Sequence, residues 1–191
     1  ACGVSLVALM GSGEWPMSRE MAHHIILMNI AAPVLAMALP VHRRSSRATG
    51  RHLAVATIIQ LAALFAAHTP AGVAAAHTHA LLHLLKQLSL FAAALAFWIA
   101  VLDQVGAARW RAIVALLITG KLFCLLGAVL VFAPRSIYPG SFGHAASQAV
   151  PSLDDQHLSG LLMLAACPAT YVLAGVVIAA RWVCELPGAE R

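Results

Sequence analysis

The chain has 191 residues, of which 61% are apolar and only 10% are charged. This composition excludes a soluble domain with a polar shell, because several segments must face lipid. The net charge of +5 comes from twelve Lys and Arg residues against seven acidic ones, and their distribution among short loops indicates membrane topology rather than nucleic-acid binding.

Five stretches of the sequence approach or exceed the length that a helix needs to cross the hydrocarbon layer, about 20 apolar residues. They are residues 22–41, 53–68, 80–102, 112–133 and 158–182. The opening segment, ACGVSLVALMGSG, is shorter and is interrupted by glycines. We therefore predict an all-α, polytopic membrane helix bundle. It would form one transmembrane domain over residues 1–191, with about five transmembrane helices and a short N-terminal apolar segment.

Basic residues predict how these helices are oriented. Four arginines lie in residues 41–52, two in residues 103–111 and two in the C-terminal tail. If five helices alternate in direction, these three segments lie on one side, which the positive-inside rule assigns to the cytoplasm. We therefore predict a multi-pass membrane protein with its N-terminus on the outer side and a cytoplasmic C-terminus; in a bacterium this is the inner (plasma) membrane and the outer side is the periplasm.

Histidines concentrate on the predicted periplasmic side. Only His42 and His52 lie on the other side, and the remaining eight fall at outer helix ends or in outer loops. His24, His68 and His83 each lie within about one turn of the outer boundary of a different helix, so they share one layer. Imidazole binds copper, zinc, iron and nickel, which makes this layer a candidate metal site. The alternative is that imidazoles simply favour membrane interfaces.

Methionines accompany these histidines. Met17, Met21, His24 and Met28 are spaced by four, three and four residues, so they form one stripe if a helix begins by Met17. Pro16 at the first helical position would permit that start. A thioether beside an imidazole favours Cu(I), whereas gap-filling packing is the alternative role for such a stripe.

A second pair of imidazoles lies at the start of the third predicted helix. His79 and His83 are four residues apart and, on one helix face, could chelate one ion. The predicted cofactor is copper as Cu(I), and haem is less favoured although histidines on facing helices could ligate it. The candidate metal ligands are His24, His68, His83, Met21, His79 and His23.

Two lysines and two cysteines lie within predicted spans. Lys86 can snorkel outward, but Lys121 is near the middle of its helix, where a cation is expensive. No acidic residue lies within a predicted span, so Lys121 needs a backbone or side-chain oxygen, a bound anion or another subunit. Cys124 and Cys167 lie at similar depths and either pair with each other or act as small packing groups.

The sequence SLDDQH precedes the last predicted span. Ser152 is typical of a helix N-cap, and Asp154 and Asp155 favour the positive end of a helix dipole. A docking role or a metal-relay role for the two aspartates is the alternative.

Five segments of the chain resemble a known family. They are MAHHIILMNIAAPVL, HTP, HALLHLLKQLSLFAAALAFW, LLGAVLVFAPRSIYP and LDDQHLSGLLM, in this order between about residues 20 and 175. Their order and spacing are similar to those of the bacterial caa3-type CtaG family, assembly factors for cytochrome c oxidase implicated in copper-centre formation. The resemblance implies histidines at the positions of His24, His68 and His83, which this chain has. It also implies histidines at two further positions, where this chain has Glu20 and Gln87.

The predicted function is therefore that of a membrane assembly factor that binds copper at a periplasmic His/Met site and supports formation of an oxidase copper centre. The alternative is an accessory structural subunit of a terminal respiratory oxidase, without metal transfer. No catalytic triad, phosphate-binding loop or paired carboxylates occur, so we predict a protein that is not an enzyme. The expected partners are cytochrome c oxidase subunits and the lipid bilayer, and no nucleic acid is expected.

Overall fold

A computed structural model describes residues 15–39, 50–138 and 152–185, and the regular structure of these residues is helical without strands. Five of the helices are long and apolar enough to cross a membrane, which confirms the predicted all-α bundle. The N-terminal apolar segment, His42, His144, Cys2 and the arginines of residues 43–47 lie outside the described residues. The helices are α1 (Pro16–Ala38), α2 (Gly50–Ala67), the short α3 (Pro70–Thr78), α4 (Ala80–Leu102), α5 (Arg109–Phe132) and α6 (Leu153–Glu185).

The long helices alternate in direction and so define two ends of the bundle. At the first end, Tyr138 beyond α5 donates a hydrogen bond to the carbonyl of His68 beyond α2. At the other end, Arg109 at the start of α5 forms an ion pair with Glu185 at the end of α6. We call these the histidine end and the arginine end. His52 and Arg51 lie at the arginine end, at the start of α2.

Helix α1 begins six residues earlier than hydropathy predicts, with Pro16 in its first turn. The first turn contains polar residues, which a hydropathy window omits, but a proline at this position fits a helix start. The methionine stripe is confirmed, because Met17, Met21, His24 and Met28 are all buried. The earlier start also places Glu20 inside α1, so the prediction that no acidic residue lies within a span is wrong.

Residues 69–79 connect the second and third predicted spans, and this connection contains the short helix α3. Thr69 caps this helix, because its hydroxyl accepts a hydrogen bond from the Gly72 amide at 3.0 Å, and Pro70 occupies the first turn. A Cβ on Gly72 would lie 2.2 Å from the Ala66 carbonyl oxygen, so the tight reversal from α2 into α3 requires glycine. The reversal keeps His77 close to the start of α1.

A π-helical turn, Leu27–Ala31, interrupts α1. Pro33 follows it and has no amide hydrogen to donate to the preceding turn, which accounts for the local widening. The indole of Trp98 on α4 donates a hydrogen bond to the Met28 carbonyl at 3.0 Å. This contact fixes the widened turn, which carries Met28, against α4.

Helices α5 and α6 pack closely where two glycines face each other. A Cβ on Gly160 would lie 2.8 Å from the Gly127 carbonyl oxygen and 2.7 Å from a Val131 methyl group. Small residues at such a contact allow two backbones to approach, as in other membrane helix pairs. The pairing holds α6 in place, and α6 supplies the residue that anchors α1.

Candidate metal site

A small buried cavity at the histidine end brings two histidines together. The rings of His24 on α1 and His68 beyond α2 lie with centroids 5.8 Å apart in an edge-to-face arrangement. Met17 and Met21 of the α1 stripe also line the cavity. Its volume of about 20 Å³ is enough for one water molecule or one ion. Two imidazoles and two thioethers therefore converge on a space of the size of a single ion.

His68 is fixed in one tautomer. Its Nδ1 donates a hydrogen bond to the Leu64 carbonyl at 2.8 Å, one turn back along the chain. Burial lowers the pKa of His68 below its ordinary value, so the ring is neutral. In a neutral ring with a protonated Nδ1, the lone pair lies on Nε2. A carbonyl that orients the second ring nitrogen is the usual support of a metal-ligating histidine.

His24 is only 5% exposed, yet neither of its ring nitrogens has a hydrogen-bond partner among the described residues. The nearest charged group is the Glu20 carboxylate, 4.0 Å from Nε2. Buried polar atoms are nearly always hydrogen-bonded, because leaving one unpaired costs on the order of 1–3 kcal/mol. The free lone pair of His24 is therefore a strong candidate for an ion ligand.

Tyr138 closes the cavity at the histidine end. Its hydroxyl donates to the His68 carbonyl at 2.8 Å, and its side chain is 1% exposed. Burial raises the pKa of Tyr138 to about 12, so the phenol stays protonated and remains a donor. Tyr138 was not among the residues predicted from the sequence. Its only signal was the SIYP segment within a stretch that resembles the family.

Glu20 lies between this cavity and a second one, and it organises the charges of both. Its carboxylate forms an ion pair with Lys86 of α4 and lies 3.3 Å from Nε2 of His77. The interpretation of Lys86 as a snorkelling cation is therefore wrong. Because α1 starts at Pro16, a carboxylate is available at the depth of Lys86, and the pair cancels a positive charge that would repel a metal cation.

The second cavity is wider, about 590 Å³, and is open to the outside. His77 and His83 face each other across it, with ring centroids 6.1 Å apart. His79 has extended backbone angles and precedes α4, so it does not share a helix face with His83. The structure thus brings His24, His68 and Met21 together in the buried cavity. It places His83, His79 and His23 in the open one beside it.

The side chains that line the buried cavity favour some metal ions over others. Within residues 15–39, 50–138 and 152–185, no three His, Cys, Asp or Glu side chains are arranged so that they could hold a metal ion. The donors here are two imidazoles, the thioethers of Met17 and Met21, and the Glu20 carboxylate, which Lys86 and His77 already engage. This set is poor for zinc, which takes four N, S or O ligands, and it suits Cu(I), which accepts soft thioethers.

Asp155 of α6 anchors the first turn of α1. Its carboxylate accepts hydrogen bonds from the Met17 amide at 2.8 Å and the Ser18 amide at 2.9 Å, and from the Ser18 hydroxyl. Ser152 caps α6 as predicted, because its hydroxyl accepts from the Asp155 amide at 3.1 Å. Asp155 therefore has the docking role that the sequence left open, and it positions the residues of α1 that line the cavity.

The remaining cysteines and lysine occupy different environments. Cys124, Cys167 and Cys184 are free thiols, and of these Cys167 is buried. Lys121 is exposed on the outer face of α5. Among the described residues no hydrogen bond or ion pair engages its ammonium group, which leaves a cation at the middle of a membrane-spanning helix.

The fold and site define a class of protein: a polytopic membrane helix bundle with a buried imidazole and thioether cavity near one membrane boundary. The model of the cytochrome c oxidase caa3 assembly factor family matches residues 3–185, nearly the whole chain. The chain belongs to this family, and the resemblance drawn from its sequence segments is confirmed. No curated protein and no solved structure matches the chain at a significant level.

Proposed function

We propose that this assembly factor carries a Cu(I) ion between His24 and His68, with Met21 as a thioether ligand, and delivers it to a copper centre of cytochrome c oxidase. The observation that carries the proposal is the buried His24 ring with two unpaired nitrogens, beside a neutral His68 and two methionines. Membership of an assembly-factor family fits a role in delivery rather than in catalysis.

The charges around the cavity favour a monovalent cation. Lys86 would repel copper if it were alone, but the Glu20 carboxylate pairs with it. The two imidazoles and the thioethers are neutral ligands, so one Cu(I) adds a single positive charge to a site that holds a balanced ion pair. A divalent ion would add twice that charge to a buried space, where uncompensated charge is costly.

The open cavity supplies a route for exchange of the ion. His23, His77, His79 and His83 line it, and Glu20 lies on the wall that it shares with the buried cavity. An ion that leaves the buried site meets further imidazoles before it reaches solvent, which suits transfer between proteins. In this proposal the histidine end faces the periplasm of a bacterial inner membrane and the arginine end faces the cytoplasm, as the positive-inside rule predicts.

The volume of the site favours an ion over a porphyrin. His24 and His68 are the only two described histidines that are buried, and the space between them is about 20 Å³. A haem would need a slot between helices many times larger. Haem ligation would therefore require α1 to move away from α2.

Cu(I) titration of the purified protein against a chromophoric Cu(I) chelator tests the proposal. We expect the H24A/H68A variant to take at least one Cu(I) equivalent fewer from the chelator than the wild-type protein. The matched control is H52A, which removes an exposed imidazole at the arginine end. Unchanged Cu(I) binding in H24A/H68A would overturn the metal assignment.

Lys121 favours a second candidate function, that of an accessory oxidase subunit. It lies about 17 Å from either end of α5 by helix rise, farther than a lysine side chain extends. Leu117, Ile118 and Leu125 surround it on an exposed apolar face. A charged group facing lipid at this depth costs several kcal/mol, and a carboxylate on a transmembrane helix of an oxidase subunit would remove that cost.

Co-purification distinguishes the two functions. A permanent subunit predicts a stoichiometric, detergent-stable complex with the oxidase, which K121L weakens and which H24A/H68A leaves intact. The delivery function predicts transient association, together with loss of copper from the oxidase in cells that carry H24A/H68A. A stable complex with normally metallated oxidase in those cells would favour the subunit.

A further inference from the structure

A second, deeper cavity lies directly beneath the first. Met28, Met163 and Cys167 line it, and it shares Met21 and His24 with the upper cavity. Its volume is about 10 Å³, near the minimum for one small ion or water molecule. Four sulfur-bearing side chains of two helices thus line a small space among buried residues of the bundle.

The sulfur groups are held there by the helices that carry them. Met163 and Cys167 are four residues apart on α6 and so lie on one face of that helix. Met28 lies one turn below His24, in the π-helical turn that Trp98 fixes. All three side chains are at most 4% exposed. The arrangement is therefore a rigid part of the bundle interior and not a surface cluster.

Packing alone would explain the methionines, because their flexible side chains commonly fill gaps in cores. It does not explain His24. This imidazole is buried, lines both cavities, and has no hydrogen-bond partner at either nitrogen within the described part of the chain. An unpaired aromatic base between two sulfur-lined cavities is the arrangement that a ligand shared by two ion positions would have.

We propose that the deeper cavity is a second Cu(I) site, with Met28, Met163 and Cys167 as sulfur ligands and His24 as the ligand through which an ion passes between the two sites. The inference rests on the proposed function of the upper site. The two sites then form a relay that stores one ion below the ion that is ready for delivery.

Cys167 allows the deeper site to bind an ion without a change in the net charge of the site. When Cu(I) binds, the S–H bond of Cys167 breaks, one Cu–S bond forms, and one proton leaves the protein for the solvent. One positive charge replaces another, and no oxidation or reduction takes place. The buried site therefore accepts the ion without a net change of charge, which a site of methionines alone could not do.

The test counts Cu(I) equivalents and released protons in the purified protein under anaerobic conditions, with Cu(I) supplied as its acetonitrile complex. We expect two equivalents in the wild-type protein and one in M163L/C167S. The matched control M37L/C184S changes a methionine and a cysteine that are both exposed and should retain two. One proton is released as the wild-type protein fills, and none as the isosteric single variant C167S fills.

The outcomes separate this inference from the proposed function. If M163L/C167S and C167S bind and release protons as the wild-type protein does, while H24A/H68A loses copper, the deeper site is refuted and the upper site stands. If H24A/H68A binds as many ions as the wild-type protein, the upper site is refuted. Thermal unfolding of each variant shows whether it is folded. If M163L/C167S does not fold, the proton count of C167S decides whether the deeper site stands.

Discussion

The capping of α1 by Asp155 yields the sharpest stability prediction. The carboxylate is fully buried and accepts from two backbone amides of α1, those of Met17 and Ser18, as well as from the Ser18 hydroxyl. Replacement by alanine leaves the two amides without their acceptor, whereas the Ser18 hydroxyl keeps the backbone carbonyl of residue 155. The perturbation therefore acts on the carboxylate that holds the backbone amides of the first turn of α1 against α6.

The magnitude follows from the number of donors that lose their partner. Each orphaned backbone amide costs about 1–2 kcal/mol, so D155A should lower the free energy of unfolding by about 2–4 kcal/mol. For a chain of this size, about 2–4 °C of melting temperature corresponds to each kcal/mol. We expect D155A to melt about 5–15 °C below the wild-type protein, and to bind Cu(I) more weakly because Met17 and Met21 lose their anchor.

Thermal unfolding in detergent, followed by tryptophan fluorescence, measures this effect. Trp15 lies directly before the anchored turn and reports its release. The matched control is D154A, which removes a neighbouring carboxylate that is exposed. If D155A and D154A melt within about 2 °C of each other, the cap does not stabilise α1 and the reasoning is refuted.

Three further predictions concern packing, charge and pH. G160A should lower the melting temperature because the added Cβ collides with α5. The control is G175A, where the added Cβ meets no atom within 4 Å and the melting temperature should not change. Equal melting temperatures of the two variants would refute the glycine contact. E20Q leaves the positive charge of Lys86 uncompensated and should weaken Cu(I) affinity at least tenfold in chelator competition. The double variant E20Q/K86M should recover the affinity. Unchanged Cu(I) affinity in E20Q would contradict the charge argument. Because the pKa of His68 is lowered from 6.5, protons compete with Cu(I) only below that value. In C167S, where Cu(I) binding releases no thiol proton, affinity should therefore stay constant from pH 8 to 6.5, and a decline within that window would contradict a buried, neutral His68.

Hydropathy predicted the fold well, because a membrane helix must satisfy its own backbone and must present apolar side chains to lipid. The same measure misplaced the start of α1. The first turn of α1 is polar, and a carboxylate from a helix more than a hundred residues away solvates it. Pro16 and the methionine stripe indicated the earlier start, but no local pattern identifies the carboxylate that caps it.

The imidazole layer was predictable in part. His24 and His68 meet because each lies within a turn of the same boundary, which the sequence indicates through helix rise alone. His83 lies at a similar depth but faces the open cavity, because the rotation of α4 about its axis depends on packing. Tyr138 and the Glu20–Lys86 pair could not be derived, since both depend on contacts between segments far apart in the chain.

Copper K-edge X-ray absorption of the Cu(I)-loaded protein tests the central claim most directly, because the spectrum distinguishes imidazole from sulfur ligands. We predict imidazole scattering together with sulfur in the wild-type protein, and loss of the imidazole contribution in H24A/H68A but not in H52A. A spectrum without imidazole scattering, or one that H24A/H68A leaves unchanged, would contradict a copper site built on His24 and His68.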